Sequence, residues 1–446
     1  MIKVYKFGGS VLKNYFGFKQ LEQIVRNSLA EKRDDDKIVI VISALGKTTA
    51  NLNLAMKHAE QNENDLVINI VSDIFNTHKQ IVKELELSKE NTWQLDLFFR
   101  TTKENLLRYL RGVAITQELT ARTKDIILSF GEMIASRIIS IYLTDKGITN
   151  SYFNITKVLI TDDNFGSATP NLLETEERIS KYLLPVLNLT NCMVTQGFIA
   201  SSITGEITTM GIESSNLTAT ILAGVLHSEE FVIWTDVEGI RSADPKLVKN
   251  TKLIKNISYE FADLLAAYGL KLIYPKMIDY LRLFDLELQF RSGLNLDGQW
   301  SVITRNGDNK KYKLLLHKEN TTMLHKEKSR TNFNLATLNE LVADSRNIFL
   351  VNPDNVIIIS DTLSLELKNT LVIEGFICED NVNTITGINI SIEEMHKFLD
   401  EDANQNIDKL FINYNFKSGI SSLHILPKNK EKFLEMVCEK ITEIEM

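Results

Sequence analysis

The fold is constrained most by the stretch from residue 2 to residue 43. Residues 2–6 of IKVYKF predict a strand, residues 7–10 a glycine turn, and residues 18–30 a helix, before KIVIVIS at 37–43 predicts a buried strand. The apolar residues of the helix recur at spacings of three and four, at Phe18, Leu21, Ile24, Val25 and Leu29. A strand that is apolar on both faces is typical of a covered parallel sheet, so this stretch predicts a βαβ unit.

The pattern continues to about residue 295. We expect a long helical stretch over roughly 51–145, strands at 192–196 and 231–234, and a helix at about 215–227. The predicted fold class is α/β, with a mainly parallel sheet sandwiched by helices. Its glycine turns lie at the carboxyl ends of strands, where open α/β sheets bind ligands.

Beyond Gly293 the character of the chain changes, because a polar segment follows and few glycines remain. We place a domain boundary there. Short strands are predicted at 314–316, 348–351, 356–359, 410–413 and 423–426, with amphipathic helices near 334–345, 391–399 and 428–444. This alternation favours two small α+β modules of the βαββαβ type.

KFGGS at 6–10 lies between the first strand and the first helix. Gly8 and Gly9 let the backbone approach a phosphate closely, its amides can donate to phosphate oxygens, and Lys6 adds a positive charge. Two glycines alone are more often typical of a tight turn beside a solvated lysine. This motif therefore needs support from elsewhere in the chain.

Composition excludes several classes of partner. Among 446 residues the net charge is −8 and the pI is about 5.6, which indicates neither a nucleic-acid surface nor an anionic-membrane surface. The three cysteines form no CxxC pair, and the seven histidines form no HxxxH or Cys/His cluster, so neither a disulfide framework nor a dedicated metal site is expected. We expect small-molecule partners and a soluble, cytoplasmic protein, because no signal-peptide pattern is seen.

Six blocks of the sequence are similar in order and approximate spacing to those of the aspartate kinases, within the amino-acid kinase superfamily. They are KFGGS at 6–10, SALGKTT at 43–49, SFGE at 129–132, QGFIA at 196–200, TDVEGIRSADP at 235–245 and GLKLIYP at 269–275. An ordered set is far more specific than one glycine motif. GKTT lacks the upstream glycine of a Walker A motif, and we interpret it as part of the second block.

The resemblance implies transfer of the γ-phosphoryl group of ATP, with Mg²⁺, to the β-carboxylate of L-aspartate. It assigns residues to three roles. The catalytic group is Lys6, Lys271 and Asn216. The nucleotide and phosphate group is Gly8, Gly9, Ser10, Thr235, Asp236, Arg241 and Asp244. The acceptor group is Ser43, Ala44, Thr48, Thr49, Glu132, Phe198 and Ser215, with Glu132 receiving the substrate ammonium.

The substrate turn departs from the family text. Where the family has GRGGSD or GREGSD, this chain has GIESSN at 211–216. Ile212 replaces the arginine that grips the substrate carboxylate, a contact worth roughly 1.5–3 kcal/mol. Asn216 replaces the aspartate that organises the phosphate-binding lysines, and it keeps the shape without the charge. Arg241 replaces a tyrosine near the nucleotide; its guanidinium either stacks on the base or extends into solvent.

The resemblance divides the chain into a kinase domain at 1–297 and two diverged ACT-like modules at 310–446. In the family these modules bind an amino-acid effector in a glycine-bearing turn, which KLLLHKENTTMLHKEK does not contain. We therefore expect dimerisation, as a homodimer or larger homo-oligomer, rather than lysine sensing.

Two classes of function remain open. One is a kinase acting on aspartate or a related carboxylic acid, favoured by Lys6, Glu132, Asp236 and Lys271. The other is a non-catalytic nucleotide-binding or regulatory paralogue, favoured by Ile212 and Asn216.

Overall fold

The computed structural model describes residues 1–30, 36–211, 213–245, 248, 251–308, 312–327, 348–351, 355–360, 365–390, 407–415 and 420–427. The chain divides into two compact units. The first is Met1–Gly239 with Asp279–Trp300, and the second is Ile240–Ile278 with Ser301–Met446. The predicted boundary between residues 297 and 310 remains a prediction.

The elements up to residue 239 alternate between strands and helices. The strands are β1 (Ile2–Phe7), β2 (Lys37–Ile42), β3 (Ser151–Tyr152), β4 (Ile160–Thr161), β5 (Cys192–Gln196), β6 (Ile199–Ser202), β7 (Ile207–Thr209) and β8 (Glu230–Thr235). The helices are α1 (Tyr15–Ala30), α2 (Thr48–Glu60), α3 (Asn64–Glu84), α4 (Lys89–Thr116), α5 (Ala121–Asp145), α6 (Leu172–Arg178), α7 (Leu184–Leu187) and α8 (Ser215–Val225). Short 3₁₀ and π turns occupy Ile155–Lys157 and Ile179–Leu183.

The remaining described elements follow in chain order. The strands are β9 (Ile240–Arg241), β10 (Leu253–Ile254), β11 (Asn256–Ser258), β12 (Leu288–Ser292), β13 (Ser301–Thr304), β14 (Leu314–Glu327), β15 (Ile348–Val351), β16 (Asn355–Ser360), β17 (Ile377–Ile388), β18 (Ile407–Asn415) and β19 (Ile420–Pro427). The helices are α9 (Tyr259–Ala267), α10 (Pro275–Phe284) and α11 (Leu365–Ile373).

A parallel sheet forms the core of the first unit. Six of its strands run in the order β12-β8-β1-β2-β5-β3, and every pairing among them is parallel. Residues 38–42 of β2 are all buried, because the strand is covered on both faces as its apolar run predicts. Helices α1, α5 and α8 pack on these strands. The α/β fold class, with a mainly parallel sheet flanked by helices, is confirmed.

The predicted helical stretch at 51–145 consists of four helices, α2 to α5. Two of the breaks follow from capping, since the Ser88 side chain accepts from the Asn91 amide and the Thr120 side chain accepts from the Thr123 amide. Among the described residues, α5 is long and apolar enough to cross a membrane by length and composition alone. However, 83% of its most apolar stretch is buried inside the protein, as in a core helix.

An antiparallel sheet dominates the second unit, with six strands in the order β15-β16-β14-β17-β19-β18. All five strands predicted beyond residue 310 are present. Strand β14 is much longer than predicted and is continuous through the KENTT segment, with irregular register between Lys318 and Met323. Strand β17 and helix α11 were not predicted. The helices predicted near 334–345, 391–399 and 428–444 lie outside the described residues.

Candidate active site

The first glycine turn joins the ends of three strands. The Gly8 amide donates to the Trp234 carbonyl of β8 at 3.2 Å, and the Ser43 amide donates to the Phe7 carbonyl of β1 at 3.3 Å. A Cβ on Gly9 would collide with the Ala44 carbonyl oxygen. Glycine at position 9 is therefore required for the close approach of the first turn to the loop after β2.

Lys6 lies under this turn near the end of β1. Its Nζ would be 3.6 Å from a Cβ built on Gly8, and the Ser10 hydroxyl would be 3.7 Å from the same point. Ser10 itself is exposed, whereas Lys6 is half-buried. Glycine at position 8 therefore leaves space beside an ammonium group and main-chain amides, which is the donor set that a polyphosphate requires.

The loop after β2 holds the predicted acceptor residues. The Ala44 amide donates to Oε1 of Glu132 at 3.1 Å, and the Thr48 hydroxyl donates to the Leu45 carbonyl at 2.6 Å. Ser43 and Thr49 are half-buried. This loop meets α5 closely, because a Cβ on Gly131 would lie 3.0 Å from the Ala44 Cβ. Gly131 thus brings the next residue, Glu132, within reach of the loop.

Glu132 is the buried carboxylate of the site, with 4% of its surface exposed. Its Oε2 has no hydrogen-bond partner among the described residues. Burial raises the pKa of the carboxyl to about 8, although the Ala44 amide and the Lys6 charge act in the opposite direction. A buried oxygen of this kind is stabilised by an incoming cationic donor such as an ammonium group.

Lys6 interacts electrostatically with two carboxylates. Burial lowers the pKa of its ammonium to about 8, while the charges of Glu213 and Glu132 act to raise it. Glu132 comes from α5 and Glu213 from the turn before α8. The Lys6 ammonium group therefore interacts with one carboxylate from α5 and one from the second turn.

The second glycine turn leads into α8, which begins at Ser215. Gly211 has a φ of 95° and Glu213 a φ of 69°, a left-handed conformation that costs a glutamate about 1–2 kcal/mol. The Ser214 amide donates to the Gly211 carbonyl at 3.2 Å. Ser215 and Asn216 are buried. Ile212, the most divergent position, lies outside the described residues.

Strand β5 ends against this second turn. A Cβ on Gly197 would lie 2.6 Å from the Ser215 Cβ, so only glycine permits this packing. Phe198 follows with a φ of 68° and is buried, and its amide donates to the Thr218 hydroxyl of α8 at 3.1 Å. The QGFIA block therefore fixes the start of α8, because Gly197 packs on Ser215 and the predicted pocket wall Phe198 is hydrogen-bonded to Thr218.

Two predicted nucleotide residues lie at the end of β8 in the first unit, Thr235 as its last residue and Asp236 directly after it. The Thr235 hydroxyl donates to Oδ1 of Asp236 at 3.3 Å, and the Gly293 amide donates to the Thr235 carbonyl at 2.8 Å. Thr235 is buried and Asp236 half-buried. They lie in the same strand-end region as the first turn, since the Gly8 amide donates to the residue before Thr235.

Three predicted residues lie in the second unit. Arg241 donates from Nε to the Thr251 hydroxyl and from Nη2 to the Thr251 carbonyl, both at 2.6 Å. Neither alternative predicted for its guanidinium, stacking on a base or extension into solvent, included this anchoring. Asp244 is exposed, and Lys271 is exposed in the turn between α9 and α10.

Parts of blocks five and six contact strand β14 within the second unit. Within the second unit, the Leu315 amide of β14 donates to the Ser242 carbonyl at 2.8 Å. A Cβ on Gly269, which has a φ of 103°, would lie 3.0 Å from the Lys318 Cβ of β14. Ser242 of block five and Gly269 of block six therefore lie against strand β14.

Sequence reasoning missed two residues of the site. Glu213 was given no role in the sequence analysis, although it is the charged residue of the second turn that acts on Lys6. His78 of α3 is buried behind the acceptor loop, with Nε2 at 3.5 Å from the Thr48 hydroxyl and Nδ1 at 2.7 Å from the Ile74 carbonyl. Glu213 could have been found as a charge within a glycine turn, whereas nothing in the sequence marks His78. Among the described residues, no group of three or more His, Cys, Asp or Glu side chains could hold a metal ion.

Comparison with known sequences identifies relatives. Residues 1–292 match the amino acid kinase family. Aspartokinase 1, chloroplastic, of Arabidopsis thaliana is 30% identical over 333 residues, which are 72% of this chain and 55% of that protein. Aspartokinase 2, chloroplastic, of the same plant is 30% identical over 332 residues, covering 72% and 58%. The chain thus spans somewhat more than half the length of these relatives.

Solved structures share the fold over the whole chain. Escherichia coli aspartokinase III in complex with aspartate and ADP (R-state) superposes with a TM-score of 0.82 at 22% identity, covering 99% of this chain and all of that one. The same enzyme in complex with lysine and aspartate (T-state) gives a TM-score of 0.73 at 23% identity, covering all of both chains. The chain belongs to the amino acid kinase family, and its predicted resemblance to the aspartate kinases of that family is confirmed.

Proposed function

We propose that this protein transfers the γ-phosphoryl group of ATP to a carboxylate of an amino acid, with the β-carboxylate of L-aspartate as the leading acceptor. The relatives named aspartokinase support a kinase of this type. The observation that carries the proposal is Glu132. A scaffold without a ligand gains nothing from a buried carboxylate whose Oε2 has no partner among the described residues.

The acceptor would be held by its ammonium group. Oε2 of Glu132 would receive its ammonium group, while Oε1 stays on the Ala44 amide and keeps the loop in place. Ser43, Thr48, Thr49 and Phe198 would complete the pocket, and Ser215 would lie at its far side. Aspartate fits this arrangement because its ammonium and β-carboxylate are separate groups.

Lys6, Gly8 and Gly9 would hold the phosphates, because the turn offers amides, an ammonium group and space beside Gly8. Bound ATP, with Mg²⁺ carried mainly by phosphates and water, supplies the phosphoryl group. An acceptor carboxylate oxygen would form a bond to the γ-phosphorus. The bond between the γ-phosphorus and the β–γ bridging oxygen would break, and ADP would leave. Lys6 would neutralise the charge on the transferred group. Lys271, Ser10, Thr235, Asp236, Arg241 and Asp244 are proposed to act with it, as the resemblance implies.

Trapping of acyl phosphate with hydroxylamine tests this proposal. The purified protein is given ATP, Mg²⁺ and either L-aspartate or succinate, which lacks only the ammonium group. We expect hydroxamate from aspartate and much less from succinate. Equal yields would contradict the role of Glu132, and the absence of hydroxamate from any amino acid would contradict carboxylate phosphorylation.

A second candidate is a nucleotide-binding paralogue without phosphoryl transfer. The observation that favours it is the second turn, in which Ile212 and Asn216 are neutral and Glu213 is the charged residue. Calorimetry distinguishes the two candidates. ATP binding without hydroxamate, in both the wild type and Asn216→Asp, would support this second candidate.

We also propose that residues 310–446 form two diverged ACT-like modules that join two copies of the chain, and that the protein acts in the cytoplasm. The six-stranded antiparallel sheet is compatible with such modules. Light scattering on the purified chain, and on a chain ended at residue 297, measures the predicted homodimer and its dependence on these modules.

A further inference from the structure

Asp125 is a buried carboxylate that none of the assigned roles uses. It lies on α5, and none of its surface is exposed. Oδ2 accepts from the Gly166 amide and from the Thr209 amide, each at 2.8 Å, and Oδ1 accepts from the Thr209 hydroxyl at 2.6 Å. Burial raises the pKa of the carboxyl, while these donors and Lys124 act to lower it. Three hydrogen bonds to one carboxylate make a strong and specific connection between α5 and the residues that donate them.

The end of β7, which these hydrogen bonds hold, leads directly into the second turn. Thr209 ends β7, and Met210 and Gly211 follow without another element. Main-chain contacts also hold this point. Thr209 pairs with Ile199 of β6, the Ala168 amide donates to the Thr209 carbonyl at 2.9 Å, and the Met210 amide donates to the Phe198 carbonyl at 3.3 Å. The Asp125 carboxylate is the side chain that ties this strand end to α5.

The same helix carries Glu132 seven residues later. Seven residues are almost two full helical turns, so both carboxylates lie on one face of α5, about 10 Å apart. Glu132 binds the acceptor loop through the Ala44 amide, and Asp125 binds the strand that enters the second turn. One rigid helix therefore sets the distance between the two substrate elements.

We propose that Asp125 is a positioning residue that fixes the second turn relative to the acceptor loop, and so determines affinity for the carboxylate acceptor. This inference rests on the proposed function. It predicts a specific separation of effects, because α5 does not carry the phosphate-binding turn: loss of Asp125 raises KM for the acceptor and leaves KM for ATP unchanged.

The experiment compares Asp125→Ala with Asp145→Ala. Asp145 is a matched control at the end of the same helix, where Oδ1 accepts from the Ser88 amide and the Asn91 side chain, each at 2.8 Å, and so ties α5 to the start of α4. We expect Asp125→Ala to raise KM for aspartate roughly tenfold, as loss of charge-assisted bonds does. KM for ATP should change less than twofold. Asp125→Asn, which can still accept both amides, should recover most of the affinity.

Amide hydrogen exchange provides a readout that needs no turnover. In Asp125→Ala the peptides covering 207–216 should exchange faster, whereas in Asp145→Ala they should exchange as in the wild type. Unchanged exchange at 207–216, or equal rises in KM in the two variants, would overturn the proposal. Faster exchange with an unchanged KM for aspartate would overturn it too.

If the wild type shows no turnover, the proposed function fails, and the exchange rates alone decide whether Asp125 positions the turn. If Asp125→Ala does not fold, Thr209→Val removes one of the three donors and serves in its place.

Discussion

The two glycine turns of the first unit have the same architecture and different chemistry. Each follows a strand end and leads towards a helix, and each is closely packed, at Gly9 against Ala44 and at Ser215 against Gly197. The first turn keeps the cation that its resemblance predicts, Lys6. The second has an isoleucine and an asparagine at the positions of family charges, and its charged residue is the acidic Glu213.

This difference separates two requirements of a site. Close main-chain packing is demanded by the fold, since a Cβ at position 9 or 197 has no room. Side-chain charge is demanded by the ligand. The second turn has kept the former and changed the latter, at Ile212 on the side of the acceptor and at Asn216 on the side of the phosphate-binding lysines.

The largest expected effect is at the first turn. Lys6→Ala removes the charge that neutralises the transferred phosphoryl group and should lower kcat roughly 100- to 1000-fold. The control is Lys13→Ala, which removes an exposed lysine just beyond the turn. Hydroxamate formation measures both. An equal kcat in the wild type and in Lys6→Ala would contradict a catalytic role for the first turn.

The next effect concerns stability at Glu132. The folded-state pKa is raised to about 8 from an ordinary 4.5, so the folded protein retains a proton that the unfolded chain has lost between these values. The wild type therefore becomes less stable as pH rises through this window, and Glu132→Gln does not. Relative to the wild type, we expect the variant to gain on the order of 3 kcal/mol in the free energy of unfolding between pH 5 and pH 8.

Urea unfolding followed by tryptophan fluorescence at the two pH values checks this sign. Glu60→Gln, at an exposed position, is the control and should show no such difference. A variant less stable than the wild type at pH 8 would mean that Glu132 is a structural ion pair and not a site held ready for a ligand.

A smaller effect is expected from restoring the second turn's lost cation. Ile212→Arg should lower KM for aspartate about tenfold, because a guanidinium can bind the α-carboxylate with two parallel hydrogen bonds. Ile212→Met, a neutral change of similar volume, should leave KM unchanged. An Arg variant with unchanged or higher KM would indicate a pocket rebuilt around another acceptor.

The smallest effect is expected from Asn216→Asp. A carboxylate there should raise the pKa of Lys6, which burial holds at about 8, and so increase the protonated fraction. The gain in kcat should be about threefold at pH 8.5 and close to none at pH 7, since Lys6 is already protonated there. A pH profile of kcat for both proteins measures this. The same gain at both pH values would show that Asn216 acts by another route.

Much of the first unit could be predicted because its signals are local. The apolar run of β2, the glycines at 8 and 9, and the spacing of α1 each depend on neighbouring residues, and all were confirmed as elements. The contact between Ala44 and Glu132 could not be predicted from the residues alone, because it depends on the absence of a side chain at Gly131, 87 residues after Ala44. The resemblance supplied it instead.

The second unit shows where local signals fail. Strand β17 contains ICEDNVNT, whose charged and amide residues do not resemble a buried strand, and it is held by pairing with β14 on one side and β19 on the other. The anchoring of Arg241 on Thr251 was missed for a similar reason, since it requires the antiparallel pairing of β9 with β10.

The strand ends of the first unit are joined through main-chain groups, with Gly8 on Trp234, Ser43 on Phe7 and Gly197 on Ile42. Every residue except proline has both an amide N–H and a carbonyl, so a change of side chain other than to proline does not remove these groups. A descendant that had ceased to be an enzyme would keep this cradle intact for as long as it folded. The fold alone therefore does not distinguish an active enzyme from an inactive relative, and the residues at positions 6 and 132 are more informative.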